Sequence, residues 1–233
     1  MKKFGLLIFS AALILGLVVS NVFSFLSVKD KFTNFSFRIG GEKGSGNFVK
    51  EARDLKGFKS IDVGGVFQVE ITAQRDFGVE IEADDNLLPL IKTHVSGSTL
   101  HIEADKKLSS SQPIRIRISA PDITDLEISG AANVTLNELK NAGVSVEASG
   151  ASKIKLAGET GRVTIDVSGA TSVDADSLKA ENGSVEASGA SHVDVNVTGN
   201  LRADASGASK IIYAGTPSTL EKKSSGASKV SQK

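Results

Sequence analysis

The sequence predicts an all-β protein: a parallel β-helix, or β-solenoid, preceded by an N-terminal signal or transmembrane helix. Three observations lead to this fold class. From Phe48 onward, apolar and polar residues alternate with a period of two, which is typical of β-strands. From Asp122 onward, a motif of Ser, Gly and Ala recurs every 18–20 residues, which indicates stacked coils. Ahead of both regions, the chain begins with a basic and then strongly apolar segment.

The N-terminal segment has the composition of an export signal. Lys2 and Lys3 precede a largely apolar run from Phe4 to Leu26, which is long enough to span a bilayer. No Ala-x-Ala cleavage site follows this run, although small residues would allow cleavage after Ser20 or Ser24. The sequence therefore predicts a cleaved signal or a signal anchor. In both cases the rest of the chain is exported to the periplasm or the cell surface.

A glycine-rich stretch, GGEKGSG, separates the apolar segment from the first strands and has the composition of a flexible linker. The strands and then the repeats follow it without another composition shift of this kind. The predicted organisation is a signal or anchor over residues 1–26, a linker over 27–46 and a solenoid domain over 47–230, which divides into irregular first coils (47–121) and repeats (122–230).

The first coils contain alternating segments separated by turn signals. The segments that predict strands are Ile61–Ile71, Val79–Ala83, Leu100–Ala104 and Ile114–Ser119. The pairs that mark turns within or between them are Gly64-Gly65, Ser96-Gly97 and Gln112-Pro113. Between the second and third segments, DDNLLPLIKTH predicts one helical turn that Pro89 ends.

In the repeats, apolar residues stand at fixed distances from the motif. The first serine of each copy is Ser129, Ser149, Ser168, Ser188, Ser206 or Ser225. Apolar residues occupy the positions three and one before this serine, and five and seven after it, as with Val146, Ala148, Ile154 and Leu156. Alternate residues of a strand point to the same face, so a strand with one inward face flanks the motif on each side.

Between these strands, the motif predicts a corner at which every coil turns. Gly permits a backbone conformation that a Cβ would penalise, and Ala suits a corner where the next coil lies close above. The last copy breaks the apolar pattern with Lys222 and Ser224, as expected of a capping coil. A doubly wound α/β fold is disfavoured because no amphipathic helix separates the strands. A β-sandwich is the main alternative, but its strands would not require the same corner residues at a fixed spacing.

Composition and motifs argue against several classes of function. Lys plus Arg equal Asp plus Glu, at 27 each, whereas proteins that bind nucleic acid normally carry a basic excess. The absence of Cys excludes disulfides, thiolate metal sites and a Cys nucleophile. His94, His101 and His192 follow no metal-ligand spacing, so we interpret them as surface histidines. Neither a nucleophile elbow nor a phosphate-binding loop occurs, and no catalytic, cofactor-binding or metal residue is predicted.

Two outward-facing columns of the repeats carry charge. Two residues before the motif serine lies an acidic ladder of Glu127, Glu147, Asp166, Glu186 and Asp204. Four residues after the serine lies a partly basic column with Lys153, His192, Lys210 and Lys229. One interpretation is a binding face, in which the acidic ladder holds Ca²⁺ or the basic column binds anionic glycans. The simpler interpretation is a solvated face that keeps the solenoid soluble and its strands from pairing with other chains.

The segments FKSIDVGGVFQVEI and DDNLLPLIKTHVSGSTLHIEA, together with the serial SGAS corners, resemble a bacterial family: the putative autotransporter adhesin head GIN domain. The resemblance covers roughly Asn47 to Val230. It implies a right-handed parallel β-helix on an exported protein. It carries over no catalytic residues.

These observations predict a non-enzymatic, extracytoplasmic module, an adhesin or envelope-associated protein that presents stacked side faces to a polymer or protein partner. The expected partners are cell-surface or cell-wall polysaccharide or an envelope protein, with the membrane reached through the N-terminal segment and no nucleic acid bound. No cofactor is expected other than Ca²⁺ on the acidic ladder. The alternative is a carbohydrate-active, polysaccharide-cleaving β-helix enzyme that uses ladder carboxylates as acid or base.

Overall fold

The computed structural model describes residues 41–233. The predicted signal or anchor and residues 27–40 of the predicted linker lie outside the described residues. Within 41–233, no helix combines the length and the apolar character that a membrane crossing requires. The strands of this region are β1 (Glu42–Lys43), β2 (Phe48–Arg53), β3 (Ser60–Gly65), β4 (Gln68–Thr72), β5 (Gly78–Asp84), β6 (Ile91–Ser96), β7 (Thr99–Ala104), β8 (Leu108–Ser109), β9 (Arg115–Ser119), β10 (Asp125–Gly130), β11 (Asn133–Asn141), β12 (Val144–Gly150), β13 (Lys153–Val167), β14 (Ser172–Ala187), β15 (His192–Val197), β16 (Asn200–Ala205), β17 (Lys210–Ala214), β18 (Thr219–Ser224) and β19 (Lys229–Gln232).

The strands stack into a β-solenoid, which confirms the predicted architecture. Side 1 is a parallel ladder of β7, β3, β10, β12, the ends of β13 and β14, β16 and β18. Side 2 is a parallel ladder of β9, β4, β11, the starts of β13 and β14, β15, β17 and β19. A short third side follows a shift in register, where residues 139–141 lie beside 158–160.

The order of the first coils along the axis differs from their order in the chain. Strand β3 pairs with β7 on one edge and with β10 on the other, and β4 likewise lies between β9 and β11. The coil of residues 60–72 therefore lies between the coil of residues 99–119 and the repeats. Antiparallel strands cover the far end, where β2 pairs with β5, β5 with β9 and β6 with β7.

The predicted apolar columns form the core of the repeats. The buried members are Leu126, Val146, Ile165, Val185, Ala203, Ile128, Ala148, Val167, Ala187, Ala205, Val134, Ile154, Val173, Val193, Ile211, Leu136, Leu156, Ala175, Val195 and Tyr213. In the last coil, Lys222 and Ser224 are exposed, as predicted for a capping coil. The Nζ atom of Lys222 lies 5.9 Å from the centre of the Tyr213 ring, so a charged side chain covers the end of the core.

At the corners, glycine rather than alanine is the residue whose size is restricted. The backbone of Gly169 has a φ of +77°, and a Cβ there would lie 2.5 Å from the carbonyl oxygen of Gly150 in the preceding coil. The expectation that Ala suits a tight corner is wrong in its reason, because the motif alanines, such as Ala151 and Ala170, are exposed. Close stacking of backbone on backbone occurs at the glycine instead.

The last residue of the motif contributes a buried hydroxyl. The members of this hydroxyl ladder are Ser152, Thr171, Ser191 and Ser209, each at most 2% exposed. Thr171 and Ser191 donate to the carbonyl oxygens of Ser168 and Ser188, at 3.0 and 2.8 Å. Ser152 and Ser209 instead donate to carbonyl oxygens of the preceding coil, those of Gly130 at 3.3 Å and Ala187 at 2.9 Å. Each buried hydroxyl therefore has a backbone partner, which allows a polar residue to recur inside the core.

The pair Gly64-Gly65, interpreted above only as a turn signal, is a further copy of the corner. Gly65 lies beside Gly130 in register, and its carbonyl oxygen accepts a hydrogen bond from the amide of Ala131. Val66 takes the position of the motif alanine and is 72% exposed. Phe67 takes the position of the hydroxyl ladder and is buried, so this copy fills with an aromatic ring the space that Ala132 occupies in the next coil and Ser or Thr in later ones.

The segment before the first predicted strand contacts the solenoid. Strand β1 pairs with β8, and the amide of Gly46 donates a 2.6 Å hydrogen bond to the fully buried carboxylate of Asp84. The hydroxyl of Ser110 donates to the other oxygen of Asp84 at 2.5 Å. This buried carboxylate therefore links the segment before β2 and the segment after β8 to the end of β5.

The predicted helical turn is present, but Pro89 does not end it. The turn is a 3₁₀-helix at Leu88–Leu90, with Pro89 in its first turn. Proline is compatible with this position because the first amides of a helix have no intrahelical acceptor. Ile91, in extended conformation, ends the turn.

Candidate functional site

The predicted acidic ladder forms one column on side 1, and the structure adds a sixth carboxylate to it. Glu127, Glu147, Asp166, Glu186 and Asp204 lie in register on consecutive coils. Asp62 of β3 precedes Glu127 in the same column. Sequence reasoning missed Asp62 because the corner after it reads Gly-Gly rather than Ser-Gly. Its position two residues before Gly64 is the signal that could have identified it.

The ladder concentrates unpaired negative charge. Among residues 41–233, none of the five carboxylates from Glu127 to Asp204 takes part in an ion pair. Neighbouring strands lie about 4.8 Å apart. At such a separation two unit charges repel by about 1 kcal/mol in water, and salt reduces this further. The column therefore presents repeated hydrogen-bond acceptors that no cationic side chain of this region neutralises.

The two ends of the ladder carry different residues. At one end His101 of β7 lies beside Asp62, and Nδ1 of its ring is 2.9 Å from Oδ2 of that carboxylate. At the other end Lys223 lies beside Asp204, although its Nζ contacts Glu221 at 3.3 Å. The negative column is thus limited to the coils between these two residues.

Hydroxyl groups flank the ladder on both sides and form two grooves with it. One groove, of about 190 Å³, is bordered by the first three repeat carboxylates and by the corner serines Ser129, Ser149 and Ser168. A second groove, also of about 190 Å³, lies on the other flank and is bordered by Ser60, Thr99 and Ser145. Carboxylates accept hydrogen bonds and hydroxyls both donate and accept them. This face can therefore bind either cations or ligands rich in hydroxyl groups.

The predicted basic column on side 2 is in register but interrupted. Its residues in order along the axis are Asn133, Lys153, Ser172, His192, Lys210 and Lys229. The adjacent column contains Asp174 and Asp194, and Nε2 of His192 lies 3.2 Å from Oδ2 of Asp194. Lys155 lies 4.0 Å from Asp174. Side 2 therefore carries both signs of charge rather than a continuous basic stripe.

A third charged cluster, which the sequence analysis did not identify, lies on the first coils of side 2. Arg117 contacts Glu80 at 2.8 Å, Glu82 at 3.4 Å and Glu70 at 3.8 Å. The hydrogen bond that Arg117 donates to Glu80 raises the pKa of Arg117. Hydrogen bonds from Lys50 and Arg117 lower the pKa of Glu80. The alternating segments VEIEA and IRIRIS contained the signal, because pairing them places Glu beside Arg.

A groove of about 400 Å³ lies next to this cluster. The small residues Ala52, Gly78 and Ser119 are among those that line it. The guanidinium that borders it is already occupied by three glutamates, so its charge is not available to an anionic ligand. Across residues 41–233, no group of three or more His, Cys, Asp or Glu side chains is arranged to hold a metal ion.

Comparison with known proteins agrees with this architecture. A family model described as "Putative auto-transporter adhesin, head GIN domain" matches residues 57–217, which is more than half of the chain. The chain belongs to this family. The match contains every carboxylate of the ladder and confirms the resemblance drawn from the SGAS corners. No curated protein matches the sequence of this family member.

Solved structures resemble this head GIN-domain chain at low sequence identity. A putative adhesin from Bacteroides fragilis is 20% identical, with a TM-score of 0.68, over 82% of this chain and 99% of that one. A protein from Parabacteroides distasonis described as a putative lipid binding protein is 17% identical, with a TM-score of 0.48, over 82% and 98% of the two chains. The first similarity supports the fold alone. The description of the family as a putative adhesin indicates an adhesin-like role.

Proposed function

We propose that this family member is a non-enzymatic, exported surface module that binds a neutral, hydroxyl-rich polysaccharide along side 1. The observation that carries the proposal is the in-register carboxylate ladder, whose members from Glu127 to Asp204 form no ion pair within the described chain. Like charges stacked on adjacent strands are unfavourable, so their repetition on every coil suits a ligand that contacts every coil.

A neutral polysaccharide fits the chemistry of this face. Sugar hydroxyls donate hydrogen bonds to carboxylates, and such charge-assisted bonds are stronger than neutral ones. The corner serines Ser129, Ser149 and Ser168 border the same groove and accept or donate the remaining bonds. An anionic polymer would instead be repelled by the ladder. A chain of repeating sugar units also matches a surface that repeats with each coil.

The groove beside the ladder does not favour the alternative, a polysaccharide-cleaving enzyme. Glycoside hydrolysis uses two carboxyl groups whose environments give them different protonation states. Glu127, Glu147, Asp166 and Glu186 are all exposed and occupy equivalent positions on a regular side. A groove of about 190 Å³ is also small beside ligand pockets of about 300–1,000 Å³. These features support recognition rather than chemistry.

Export and a location in the periplasm or at the cell surface are part of the proposal. They rest on Lys2, Lys3 and the apolar run from Phe4 to Leu26. The adhesin description of the family points in the same direction.

A binding screen tests the proposal. The full chain, kept in solution with detergent, is offered immobilised neutral and anionic polysaccharides, first with Ca²⁺ and then with chelator. The test variant carries Glu147→Gln, Asp166→Asn and Glu186→Gln. The matched control carries Lys153→Gln, Lys210→Gln and Lys229→Gln on side 2, which also changes three charges.

We expect binding to a neutral polysaccharide that the ladder variant loses and the lysine variant retains. Loss in the lysine variant alone would place recognition on side 2 and contradict the proposal. Loss with chelator would identify a Ca²⁺ ion between ladder and polymer. A folded chain that binds no polysaccharide would overturn the polysaccharide partner and favour an envelope protein.

A further inference from the structure

His94 and His101 lie side by side on the surface, although seven positions separate them in the sequence. They belong to the antiparallel hairpin of β6 and β7, in which they are directly paired. The hairpin turns at Gly97, which has a φ of +60°. The two imidazole rings are stacked, with 4.9 Å between their centres and 18° between their planes. The fold therefore builds a pair of histidines that no spacing rule reveals.

A carboxylate fixes the orientation and the tautomer of one ring. Nδ1 of His101 lies 2.9 Å from Oδ2 of Asp62. An ionised carboxylate only accepts hydrogen bonds, so Nδ1 must carry the hydrogen. In the neutral ring, Nε2 then keeps its lone pair free. A histidine that donates through one nitrogen to a carboxylate and offers the other nitrogen is the usual arrangement of a metal-ligating histidine.

The second potential nitrogen donor is His94. In the stacked arrangement the nitrogen lone pairs of the two rings lie in nearly parallel planes, so the His94 ring must rotate before both nitrogens can bind the same ion. His94 is exposed, and its ring forms no hydrogen bond with any residue that the structure describes. Imidazole nitrogens suit divalent zinc, nickel, copper and cobalt, whereas Ca²⁺ and Mg²⁺ prefer oxygen ligands. No third ligating side chain completes a group of three within 41–233. Water or a group from a bound partner would therefore fill the remaining coordination positions.

We propose that His94 and His101 form a two-histidine binding site for a divalent transition-metal ion, with Asp62 as the positioning residue of His101. The site lies at one end of the acidic ladder, on the same side of the solenoid. It is separate from the proposed polysaccharide site, because it uses nitrogen donors and none of the carboxylates from Glu127 to Asp204. The ion's open positions face outward, where a second molecule can reach them.

The experiment is a calorimetric titration of the full chain in detergent with Zn²⁺, repeated with Co²⁺ and read by its visible absorption. Variants are His94→Ala, His101→Ala and Asp62→Asn. The matched control is His192→Ala, because His192 also contacts a carboxylate, at 3.2 Å, but lies on side 2 without a second histidine. Far-UV circular dichroism verifies that each variant folds.

We expect one ion per chain, with binding lost in His94→Ala and in His101→Ala and retained in His192→Ala. Asp62→Asn should weaken the affinity by about 10–100-fold, the usual effect of removing a carboxylate behind a ligating histidine. Absence of binding in the unmodified chain would overturn the proposal. Binding that survives His94→Ala but disappears on Glu127→Gln with Glu147→Gln would also overturn it, since the ladder rather than the histidines would then hold the ion.

Discussion

The amide of Ala170 donates a 2.8 Å hydrogen bond to the carbonyl oxygen of Gly150, the equivalent corner glycine of the preceding coil. The bond recurs between Ala190 and Gly169, also at 2.8 Å. Because the corners are stacked this closely, the glycine is specified twice, once by its positive φ and once by the oxygen that a Cβ would meet. The corner motif is therefore a requirement of coil stacking.

Replacing a corner glycine by alanine should destabilise the chain more than its φ alone explains. Gly169→Ala combines a φ of +77° with a Cβ 2.5 Å from a backbone oxygen, whereas Gly57→Ala combines a φ of +80° with open space. We expect a loss of about 1–2 kcal/mol for Gly57→Ala and about twice that or more for Gly169→Ala. Guanidinium unfolding measures both, and equal losses would contradict the stacking argument.

Removing the buried carboxylate of Asp84 should release the segment before β2. Asp84 is fully buried and accepts hydrogen bonds from the amide of Gly46 and the hydroxyl of Ser110. Asp84→Ala should lower the free energy of unfolding by about 3 kcal/mol, since hydrogen bonds to a charged group are among the stronger ones. Asp76→Ala, at an exposed position where the side chain bonds no residue of this segment, is the control and should cost less. Faster proteolysis near Lys43 in the Asp84 variant alone would confirm the release.

Neutralising the middle of the ladder should stabilise the fold. In the double variant Glu147→Gln with Asp166→Asn, two like charges on adjacent coils are removed. We expect a gain of a few tenths to about 1 kcal/mol, larger at low salt than at high salt. Glu70→Gln, which removes a partner of Arg117, is the control and should not stabilise. A loss of stability in the double variant at every salt concentration would mean that the ladder supports the fold.

Acid should weaken the cluster around Arg117. Hydrogen bonds from Lys50 and Arg117 lower the pKa of Glu80. The ionised side chain of Glu80 therefore stabilises the fold fully at pH values above the ordinary pKa of a glutamate. That contribution is lost as the pH falls through the lowered pKa of the folded state. Glu80→Gln should therefore be less stable than the unmodified chain at neutral pH, with the difference shrinking in acid. Thermal unfolding across a pH series measures it, and a difference that grows in acid would contradict the assignment.

The repeated part of the fold follows from the sequence because one period encodes register, corner and core together. Aligning Glu147 and Asp166 on their motif serines gives the correct register for the residues around them. The acidic ladder follows from this alignment alone. The reason given for alanine at the corner was wrong, because the alternation of apolar and polar residues does not show which corner atom contacts the next coil. The buried hydroxyl of Ser191 was not foreseen, since a polar residue at a turn suggests exposure.

The first coils were less predictable because their contacts link distant segments. Asp62 lies beside His101 across a long stretch of chain, and only the pairing of β3 with β7 brings the two together. The pair His94 and His101 could have been found by centring a hairpin between Gly97 and Ser98, since residues at equal distances from a two-residue turn face each other. No local sequence pattern indicates that the coil of residues 60–72 lies between two other coils.

That interior position has a consequence for how the rod is assembled. The coil of residues 60–72 offers paired edges in both axial directions, towards β7 and β9 on one side and β10 and β11 on the other. During folding, coils can therefore add to this segment in both axial directions. The segment is also synthesised before the repeats. On the repeat side, inserting or deleting one whole period changes the number of coils, while the pairing within the rest of the stack is kept. The reach of this molecule is thus a quantity that gene duplication can adjust in single steps.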